Sequence, residues 1–378
     1  MIDKENGRMR GEPPGNARPG GRKRRPRKRG KSRPQSGSGT AALSPISTPG
    51  ARRAGARADT PVYAAVDLGS NNCRLLIARP RKHGQFRVID SFSRIVRLGE
   101  GVAASGMLSP AAIERTVRAL KICAARIAAA KATHVQAIAT EACRRAGNAD
   151  LLRARVLAET GLSLEIVSVD EEAALAATGC APLIGKRYGG ALVFDIGGGS
   201  TEVIWIRREN GVCHVLHAES LPVGVVGLAE RRDGARDRAF FDTVLAEMTD
   251  RFAKVRARLE QGRTFAEEDH HLLGTSGTVT TLAGIALGLP RYIRSRVDGS
   301  WHTSARLLAV TDDLLALDPA ARARLGCVGK ERADLIVPGC AIFSAIYATW
   351  PCAELRVADR GLREGMLRRM MNKPNAAA

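Results

Sequence analysis

The sequence carries VDLGSNNCRLLI at residues 66–77 and FDIGGGSTEVIW at residues 194–205, and both stretches follow one pattern. In each, an apolar run leads through an aspartate into a turn of glycine and small polar residues, and a second apolar run follows. When the stretches are superimposed, the equivalent residues are Asp67 and Asp195, Gly69 and Gly197, and Arg74 and Glu202. Apolar runs of this length are typical of buried strands. The sequence therefore predicts the same strand–turn–strand hairpin twice.

The turns of these hairpins are candidate phosphate-binding loops. Glycine lets the backbone approach an anion closely, so that several N–H groups of one turn can point at the same phosphate. One such turn alone is equally well explained as a surface turn between two strands, but a pair of them can bind a phosphate chain from both sides of a cleft. The candidate residues are Gly69, Ser70 and Asn71 in the first turn and Gly197, Gly198, Gly199, Ser200 and Thr201 in the second.

Positive charge is concentrated at the N-terminus of this 378-residue chain, whose formal net charge is +21. Residues 1–60 contain 16 Lys and Arg against 4 Asp and Glu, with few large apolar side chains. Such a segment buries too little apolar surface to offset its chain entropy, so we predict a disordered basic arm over residues 1–61. The arm either attracts polyanions or is a solvated extension. It contains no Phe, Tyr or Trp on which bases could stack, so any nucleic-acid binding through it would be nonspecific.

Cysteine usage and hydropathy indicate a cytoplasmic protein. The eight cysteines include no C-x-x-C pair, as expected of a reduced cytosolic chain in which cysteine behaves as a small apolar residue. No run of 18 apolar residues predicts a membrane span, and no apolar signal core follows the basic N-terminus. His214 and His217 are three residues apart in a predicted strand, where they would point to opposite faces. We therefore predict no zinc site.

Helices and strands alternate along the rest of the chain, which predicts an α/β fold with a mixed sheet. Ser109 and Pro110 form a typical helix start, because proline at the first helical position loses no hydrogen bond. The predicted strand segments are 62–79, 85–98, 135–139, 164–169, 190–208, 211–221, 271–273 and 354–357. The predicted helices are 110–131, 148–160, 237–259, 279–286 and 335–349, with one more after Asp170 and one at the C-terminus.

A third turn, Gly274–Thr278, has the same glycine and hydroxyl composition and directly precedes a predicted helix. Helix N-termini bind anions, so Ser276 and Gly277 are further candidate phosphate ligands. Asp170 is the predicted N-cap of the helix that carries Glu172 in its first turn. The helix dipole would then keep the Glu172 carboxylate ionised near neutral pH.

Together these features resemble the exopolyphosphatase/guanosine pentaphosphate phosphatase (Ppx/GppA) family, within the actin, sugar kinase and Hsp70 fold group. The resemblance spans about residues 62–371. The segments that carry it are 65–71 (AVDLGSN), 139–144 (ATEACR), 171–173 (EEA), 195–202 (DIGGGSTE), 274–278 (GTSGT) and 359–365 (DRGLREG). Each segment alone is a weak signal, whereas their shared order and spacing are highly specific.

The resemblance implies a domain organisation. Two actin-like (ribonuclease H-like) domains are expected at residues 62–168 and 169–358, after the basic arm. A C-terminal helix at about 359–372 is expected to pack back on the first domain. We expect a short family form without the helical C-terminal domains of longer members. A homodimer is also implied, with the predicted helix 237–259 as a candidate contact surface.

The resemblance further implies which residues carry out the chemistry. Glu172 is the implied general base, a choice that the residues alone leave open between Glu171 and Glu172, since both lie in the first turn of a helix. Arg144 matches the phosphate-contacting arginine of the family, although an ordinary ion pair would also explain it. Arg74 is a second positive group near the phosphates.

A divalent cation, expected to be Mg²⁺, would lie beside the phosphates, because Mg²⁺ prefers carboxylate oxygens and water. Asp195 and Glu202 are the candidate ligands, with Asp67 opposite them. As an alternative, the two hairpin aspartates form hydrogen bonds within their own turns.

The implied activity is the release of orthophosphate from the end of inorganic polyphosphate. Family members also hydrolyse guanosine pentaphosphate (pppGpp) at its 5′ end, and the shared motifs leave this alternative open. A third reading is a nonhydrolytic or kinase-like nucleotide-binding protein of the same fold group, which the triple-glycine turn and the Glu171–Ala173 segment favour less.

Overall fold

The computed structural model describes residues 60–82, 85–232, 237–261, 266 and 268–372. Of the predicted basic arm over residues 1–61, all but the last two residues lie outside the described residues. No helix in the described part of the chain is both long and apolar enough to span a bilayer.

The N-terminal part of the described chain forms a mixed sheet of five strands, which we call the first sheet. Its strands are β1 (Tyr63–Leu68), β2 (Asn72–Pro80), β3 (Phe86–Ile95), β4 (His134–Ala139) and β5 (Leu164–Ile166). Their spatial order is β3-β2-β1-β4-β5. Strand β1 is antiparallel to β2 and parallel to β4. The first strand of the predicted hairpin, β1, therefore lies at the centre of the sheet.

The C-terminal part of the described chain forms a second mixed sheet, of six strands. Its strands are β6 (Gly190–Ile196), β7 (Thr201–Glu209), β8 (Val212–Leu221), β9 (His270–Thr275), β10 (Trp301–Thr303) and β11 (Glu354–Val357). Their spatial order is β10-β11-β9-β6-β7-β8. Strand β6 is antiparallel to β7 and parallel to β9. The predicted α/β class with mixed sheets is confirmed.

The two predicted hairpins, β1–β2 and β6–β7, have equivalent registers. Asp67 pairs directly with Arg74 across the first hairpin, and Asp195 pairs with Glu202 across the second. Because β1 and β6, the first strands of the hairpins, each also have a parallel neighbour on their other side, both turns lie at the edge where those parallel strands end. This is the edge of an α/β sheet at which ligands commonly bind.

Helices cover the faces of both sheets. In chain order they are α1 (Val102–Ser105), α2 (Pro110–Ala129), α3 (Glu141–Arg145), α4 (Ala149–Thr160), α5 (Val169–Cys180), α6 (Val225–Glu230), α7 (Asp237–Leu259), α8 (Ser276–Ala286), α9 (Arg294–Val297), α10 (Ser304–Ala316), α11 (Pro319–Arg324), α12 (Ile336–Thr349) and α13 (Leu362–Asn372). The predicted start of α2 is confirmed, since the Ser109 hydroxyl accepts a hydrogen bond from the Ala112 N–H.

A large apolar core lies under the second sheet, where α7 and α12 pack. Phe194, Phe252, Phe343 and Trp350 are all fully buried in it. Burial of each such side chain stabilises the fold by about 1.5–3 kcal/mol. A separate core fills the space between the first sheet and the α2–α4 pair and includes Leu120. Each sheet therefore has its own core, which gives both glycine turns a rigid support.

Helices α5 and α13 connect the two sheets and touch each other backbone to backbone. A Cβ atom on Gly365 would lie 1.9 Å from the carbonyl oxygen of Leu175, and one on Gly179 would lie 1.9 Å from that of Gly361. Leu175 packs in the apolar cluster of β1 and α13, whereas Ala177, on the same helix, packs against the second sheet. The division of the chain into domains at 168/169 stays a prediction.

Two local predictions were wrong. Asp170 is not the N-cap of α5. Ser168 caps that helix by accepting a hydrogen bond from the Glu171 N–H, because its backbone is extended where that of Asp170 is already helical. Gly274–Thr278 does not form a separate turn, because β9 runs through Thr275 and α8 begins at Ser276. The reversal of the chain is concentrated at Ser276, whose φ of 80° lies in the left-handed region.

Candidate phosphohydrolase site

The two glycine turns meet face to face. A Cβ atom on Gly198 would lie 2.8 Å from the Cβ of Asn71, and one on Gly199 would lie 2.5 Å from the Oγ of Ser70. No residue with a side chain fits at either glycine without moving the opposite turn. The second turn therefore requires glycine for close approach, as the sequence predicts.

The turns are also closed by the same hydrogen bond. In the first, the Gly69 N–H donates to Asn72 O at 2.9 Å, and in the second the Gly197 N–H donates to Ser200 O at 2.9 Å. The carbonyl oxygens of Ser70, Asn71, Gly197 and Gly198 accept hydrogen bonds from the segments behind them, from Gly99, Val96, Val225 and Val226 respectively. This leaves the opposite, N–H side of each turn available.

Several N–H groups of the turns have no protein acceptor within the part of the chain that the structure describes. They are those of Ser70, Asn71, Gly198 and Gly199. These residues line a cavity of about 140 Å³ between the two sheets. Converging backbone N–H groups without acceptors are the defining feature of an anion-binding loop.

Most of the predicted site residues line this cavity. They are Asp67, Gly69, Ser70, Asn71, Arg74, Glu172, Asp195, Gly197, Gly198, Gly199, Ser200, Glu202, Ser276 and Gly277. Ser276 is held in its left-handed conformation by its own hydroxyl, which donates to Ile196 O at 2.8 Å. This bond fixes the N-terminus of α8 against the end of β6, beside the second turn.

Glu172 is held by an arginine at the cavity wall. Its Oε2 accepts a hydrogen bond from Arg144 Nη1 at 2.6 Å, and its side chain is 14 % exposed. Burial raises the pKa of Glu172 to about 7, although the Arg144 charge lowers it. The sequence predicts a carboxylate that is ionised near neutral pH, whereas desolvation by burial outweighs the attraction of Arg144 and brings the pKa up into that range. A carboxyl group that titrates near 7 suits a general base at neutral pH.

Two predicted residues lie outside the lining of the cavity. Arg144 instead donates hydrogen bonds to Glu172, to Glu141 Oε2 at 3.2 Å and to Val167 O at 3.0 Å. These contacts are those of an ordinary ion pair, the alternative to phosphate contact that the sequence left open. Thr201 is fully buried, and its hydroxyl donates to Val223 O at 2.7 Å. Thr201 thus joins β7 to the segment before α6.

Three carboxyl groups face the cavity from the hairpins: Glu202 is buried, and Asp67 and Asp195 are half-buried. Burial raises the pKa of Asp67, raises that of Asp195 to about 6, and raises that of Glu202 well above its usual value. The hydroxyls of Ser200 and Ser220 both donate to Glu202 Oε1, at 2.5 and 2.8 Å. One carboxylate oxygen of Glu202 is therefore anchored by the protein, and the other is left for a ligand.

These carboxyl groups fit a Mg²⁺ ion that is shared with a substrate. The described residues contain no group of three or more His, Cys, Asp and Glu side chains arranged to bind a metal by themselves. Mg²⁺ does not require such a cage, because it commonly binds through one or two carboxylates together with water and substrate phosphates. Asp195 and Glu202, adjacent across the β6–β7 pair, supply this donor set.

Other residues that line the cavity were not among the predicted site residues. Arg332, Arg360 and Arg363 contribute guanidinium groups, and Thr140 contributes a hydroxyl. The segment 359–365 already carried the family resemblance, so Arg360 and Arg363 had a signal in the sequence. The only signal for Arg332 in the sequence was its place in the charged run 330–334 (KERAD), which directly precedes an apolar helix.

Comparisons with known proteins agree with this geometry. The profile of the Ppx/GppA phosphatase family matches residues 76–374. The chain is 33 % identical over 286 residues to a protein of Mycobacterium tuberculosis named exopolyphosphatase 2, which covers 73 % of this chain and 86 % of that protein. It is 30 % identical over 315 residues to the guanosine-5′-triphosphate,3′-diphosphate pyrophosphatase of Aeromonas salmonicida, across 82 % of this chain and 59 % of that protein.

Solved structures show the same relationship. A crystal structure of the Aquifex aeolicus Ppx/GppA family member superimposes with a TM-score of 0.69 at 30 % sequence identity, covering 84 % of this chain and 99 % of that one. An exopolyphosphatase structure from Cytophaga hutchinsonii has a TM-score of 0.71 at 23 % identity and shares the fold. The chain therefore belongs to the Ppx/GppA phosphatase family and is a hydrolase.

Proposed function

We propose that this protein is an exopolyphosphatase, which releases orthophosphate from the end of inorganic polyphosphate. The observation that carries the proposal is the position of Glu172, whose carboxyl group reaches the same cavity as the unpaired N–H groups of both glycine turns. The turns would bind the oxygens of the terminal phosphate from two sides. The relatives named exopolyphosphatase and pyrophosphatase support hydrolysis of a phosphoanhydride bond.

The reaction follows from these positions. Glu172 takes a proton from a water molecule, whose oxygen forms a bond to the terminal phosphorus. The bond from that phosphorus to the bridging oxygen breaks, and the bridging oxygen stays on the shortened chain. Arg144 contacts Glu172 rather than the cavity, so it positions the base and tunes its pKa. The N–H groups of the turns stabilise the negative charge on the phosphoryl oxygens.

Mg²⁺, when bound, would neutralise charge on the phosphate oxygens. Asp195 and Glu202 would hold it, with Asp67 on the opposite hairpin. The position of these carboxyl groups supports this assignment, since all three line the cavity beside the glycine turns. The predicted homodimer and the cytoplasmic location stay predictions.

The Ser220 hydroxyl offers a test of the metal assignment that leaves the cavity lining unchanged. Without its hydrogen bond, Glu202 is less well oriented, and partners of metal ligands typically contribute about 10-fold or more to metal affinity. The Ser220→Ala variant should therefore need about 10-fold more Mg²⁺ for half-maximal activity, with a similar rate at saturation. Thr243→Ala, which removes an exposed hydroxyl on α7, is the control. An unchanged Mg²⁺ requirement for Ser220→Ala would argue against Glu202 as a ligand.

The pKa of Glu172 predicts the acid limb of the pH profile. The base acts when it is unprotonated, so kcat/KM should rise with pH through about 7 and fall as the carboxylate is protonated below it. Because the Arg144 charge lowers this pKa, the acid limb of Arg144→Gln should move to higher pH. Steady-state rates between pH 5 and 9 for both proteins measure the shift. A limb that stays in place in the variant would show that another group titrates.

A second candidate activity is hydrolysis of pppGpp at its 5′ end. A second cavity, of about 390 Å³, lies beside the same turns and shares Ser70, Gly198 and Gly199 with the first. Its walls come from α1, α3, α6 and the segment before α6, and are largely apolar, with Val102 and Leu228 among the lining residues. The charged residues in the lining are Glu141, Arg145, Glu230 and Arg231. A site of this kind can accept a nucleoside whose phosphates reach the turns.

Parallel assays separate the two activities. Orthophosphate release is measured with Mg²⁺ on long-chain polyphosphate and on pppGpp, for the full-length protein. Faster turnover of polyphosphate at equal concentrations of chain ends supports the proposed function. Turnover of pppGpp alone would assign the same site to the nucleotide, and no release from either substrate would refute the hydrolytic assignment of this chain.

A further inference from the structure

A buried glutamate, Glu141, lies next to the arginine that contacts the proposed base. It is the first residue of α3, directly after β4, and is 8 % exposed. Its Oε2 accepts a hydrogen bond from Arg144 Nη2 at 3.2 Å, and its Oε1 lies 3.8 Å from Arg145 Nε. Glu141 does not line the cavity between the two sheets, and no step of the proposed reaction uses it.

The hydrogen bonds of Arg144 are divided between its two terminal nitrogens. Nη1 donates both to Glu172 Oε2, at 2.6 Å, and to Val167 O, at 3.0 Å. Because both of these bonds leave from one atom, they would let the planar guanidinium group turn about that atom. The bond from Nη2 to Glu141 fixes the orientation of the plane. The side chains of Glu141, Arg144 and Glu172 are all largely buried, so water competes little for these bonds.

Glu141 also touches the second glycine turn. A Cβ atom on Gly199 would lie 3.1 Å from the Cγ of Glu141, so this turn packs against the stem of the glutamate side chain. Contacts therefore run from the second turn through Glu141 and Arg144 to Glu172. In the proposed reaction the turn binds the phosphate and Glu172 takes a proton from the attacking water. The relative position of these groups sets the line of attack, and a misplacement of about 1 Å can slow an enzyme by about 100-fold.

We infer that Glu141 is a positioning residue for the reaction: it orients Arg144, and through Arg144 it holds the carboxyl group of Glu172 in a fixed place relative to the second glycine turn. This inference rests on the proposed function, since it concerns how the base is aimed. Glu141 lies outside the lining of the cavity and so does not contact the phosphates. It therefore acts on the rate of the chemical step and not on the affinity for substrate.

Two variants of similar shape test this role in the full-length protein. Glu141→Met replaces the carboxylate by a thioether, which is a poor hydrogen-bond acceptor, whereas Glu141→Gln keeps an acceptor oxygen for Arg144. In Glu141→Met, kcat for the substrate that the unchanged protein hydrolyses should fall by about 10- to 100-fold, with KM within about 3-fold. Glu141→Gln should restore kcat to within about 3-fold of the unchanged protein, because it still orients Arg144. Asp150→Ala is the control, since it removes a carboxylate from an exposed ion pair of the same spacing, with Arg153.

A double-mutant cycle separates positioning from packing. If Glu141 acts through Arg144, Glu141→Met should lower kcat by less than about 2-fold in a chain that already carries Arg144→Gln. A packing role would give the same loss with and without Arg144, because independent effects add. Arg144 keeps Glu172 as its partner in every Glu141 variant, so the variants should fold, which thermal melting checks. Glu141→Ala, which also removes the acceptor, takes the place of Glu141→Met in the cycle if the latter does not fold.

The outcomes distinguish this inference from the proposed function. Equal losses in both backgrounds, equal losses in Glu141→Met and Glu141→Gln, a change confined to KM, or no loss at all would overturn the positioning role alone. No release of orthophosphate by the unchanged protein would refute the proposed function and the positioning role together.

Discussion

Glu172→Gln should reduce orthophosphate release from polyphosphate by at least about 100-fold, the usual contribution of a general base. Glutamine keeps the size of the side chain and can still accept a hydrogen bond from Arg144, but it cannot take the proton of the attacking water. Substrate affinity should remain, because under the proposed function the glycine turns, and not Glu172, bind the phosphates. Initial rates and equilibrium binding of polyphosphate to the variant measure the two effects separately.

The neighbouring Glu171 provides a matched control for this substitution. It lies on the same helix, and its carboxylate binds Arg369 at 2.5 Å. Glu171 does not line the cavity. Glu171→Gln should therefore keep its activity within a few-fold of the unchanged protein. If Glu171→Gln and Glu172→Gln lost activity equally, or if Glu172→Gln stayed active, Glu172 would not be the base.

The contact between α5 and α13 predicts the largest effect on stability. In Gly365→Ala the new Cβ would overlap the carbonyl oxygen of Leu175, which is backbone and cannot rotate away. The two helices must separate, and overpacking of this kind costs about 1–3 kcal/mol or more. Because both helices connect the sheets, activity should decrease along with the free energy of unfolding. Urea denaturation followed by circular dichroism, with activity measured in parallel, checks both effects.

A second glycine-to-alanine change controls for helix propensity. Gly227 also lies inside a helix, α6, but a Cβ atom there would have no neighbour within 4 Å. Gly227→Ala should leave the free energy of unfolding unchanged or raise it by up to about 1 kcal/mol, since alanine is the better helix former. If Gly365→Ala were as stable as Gly227→Ala, the close helix contact would be relaxed in solution.

The sequence predicted the features that depend on local pattern. The apolar runs around Asp67 and Asp195 predicted both hairpins, because each strand is buried on both faces and so reads as continuous hydrophobicity. The offset between these motifs predicted that Arg74 and Glu202 occupy equivalent places, and the registers show both opposite their aspartates. Ser109 and Pro110 predicted the start of α2 from chemistry within a single turn.

Other features depend on residues that are distant in the chain. The pKa of Glu172 is set by burial between two sheets, which the first turn of a helix does not reveal. Arg144 is tied to Glu172, 28 positions away, and only the fold places them together. Arg332 reaches the cavity from the other half of the chain. The start of α5 was misplaced because Ser168 and Asp170 are both good N-cap residues, and only the backbone geometry separates them.

Helix α10 was not predicted, although its signals were present. Thr303 precedes it and accepts a hydrogen bond from the Arg306 N–H as its N-cap. Leu307, Val310 and Leu314 follow at helical spacing and are buried.

Isotope labelling tests most directly that water attacks the terminal phosphorus. The full-length protein is incubated with long-chain polyphosphate and Mg²⁺ in H₂¹⁸O, and the products are analysed by mass spectrometry. The account predicts one ¹⁸O atom in each released orthophosphate and none in the shortened chain, because the bridging oxygen leaves with the chain. Label in the chain, or transfer of the phosphate to an acceptor other than water, would contradict the account.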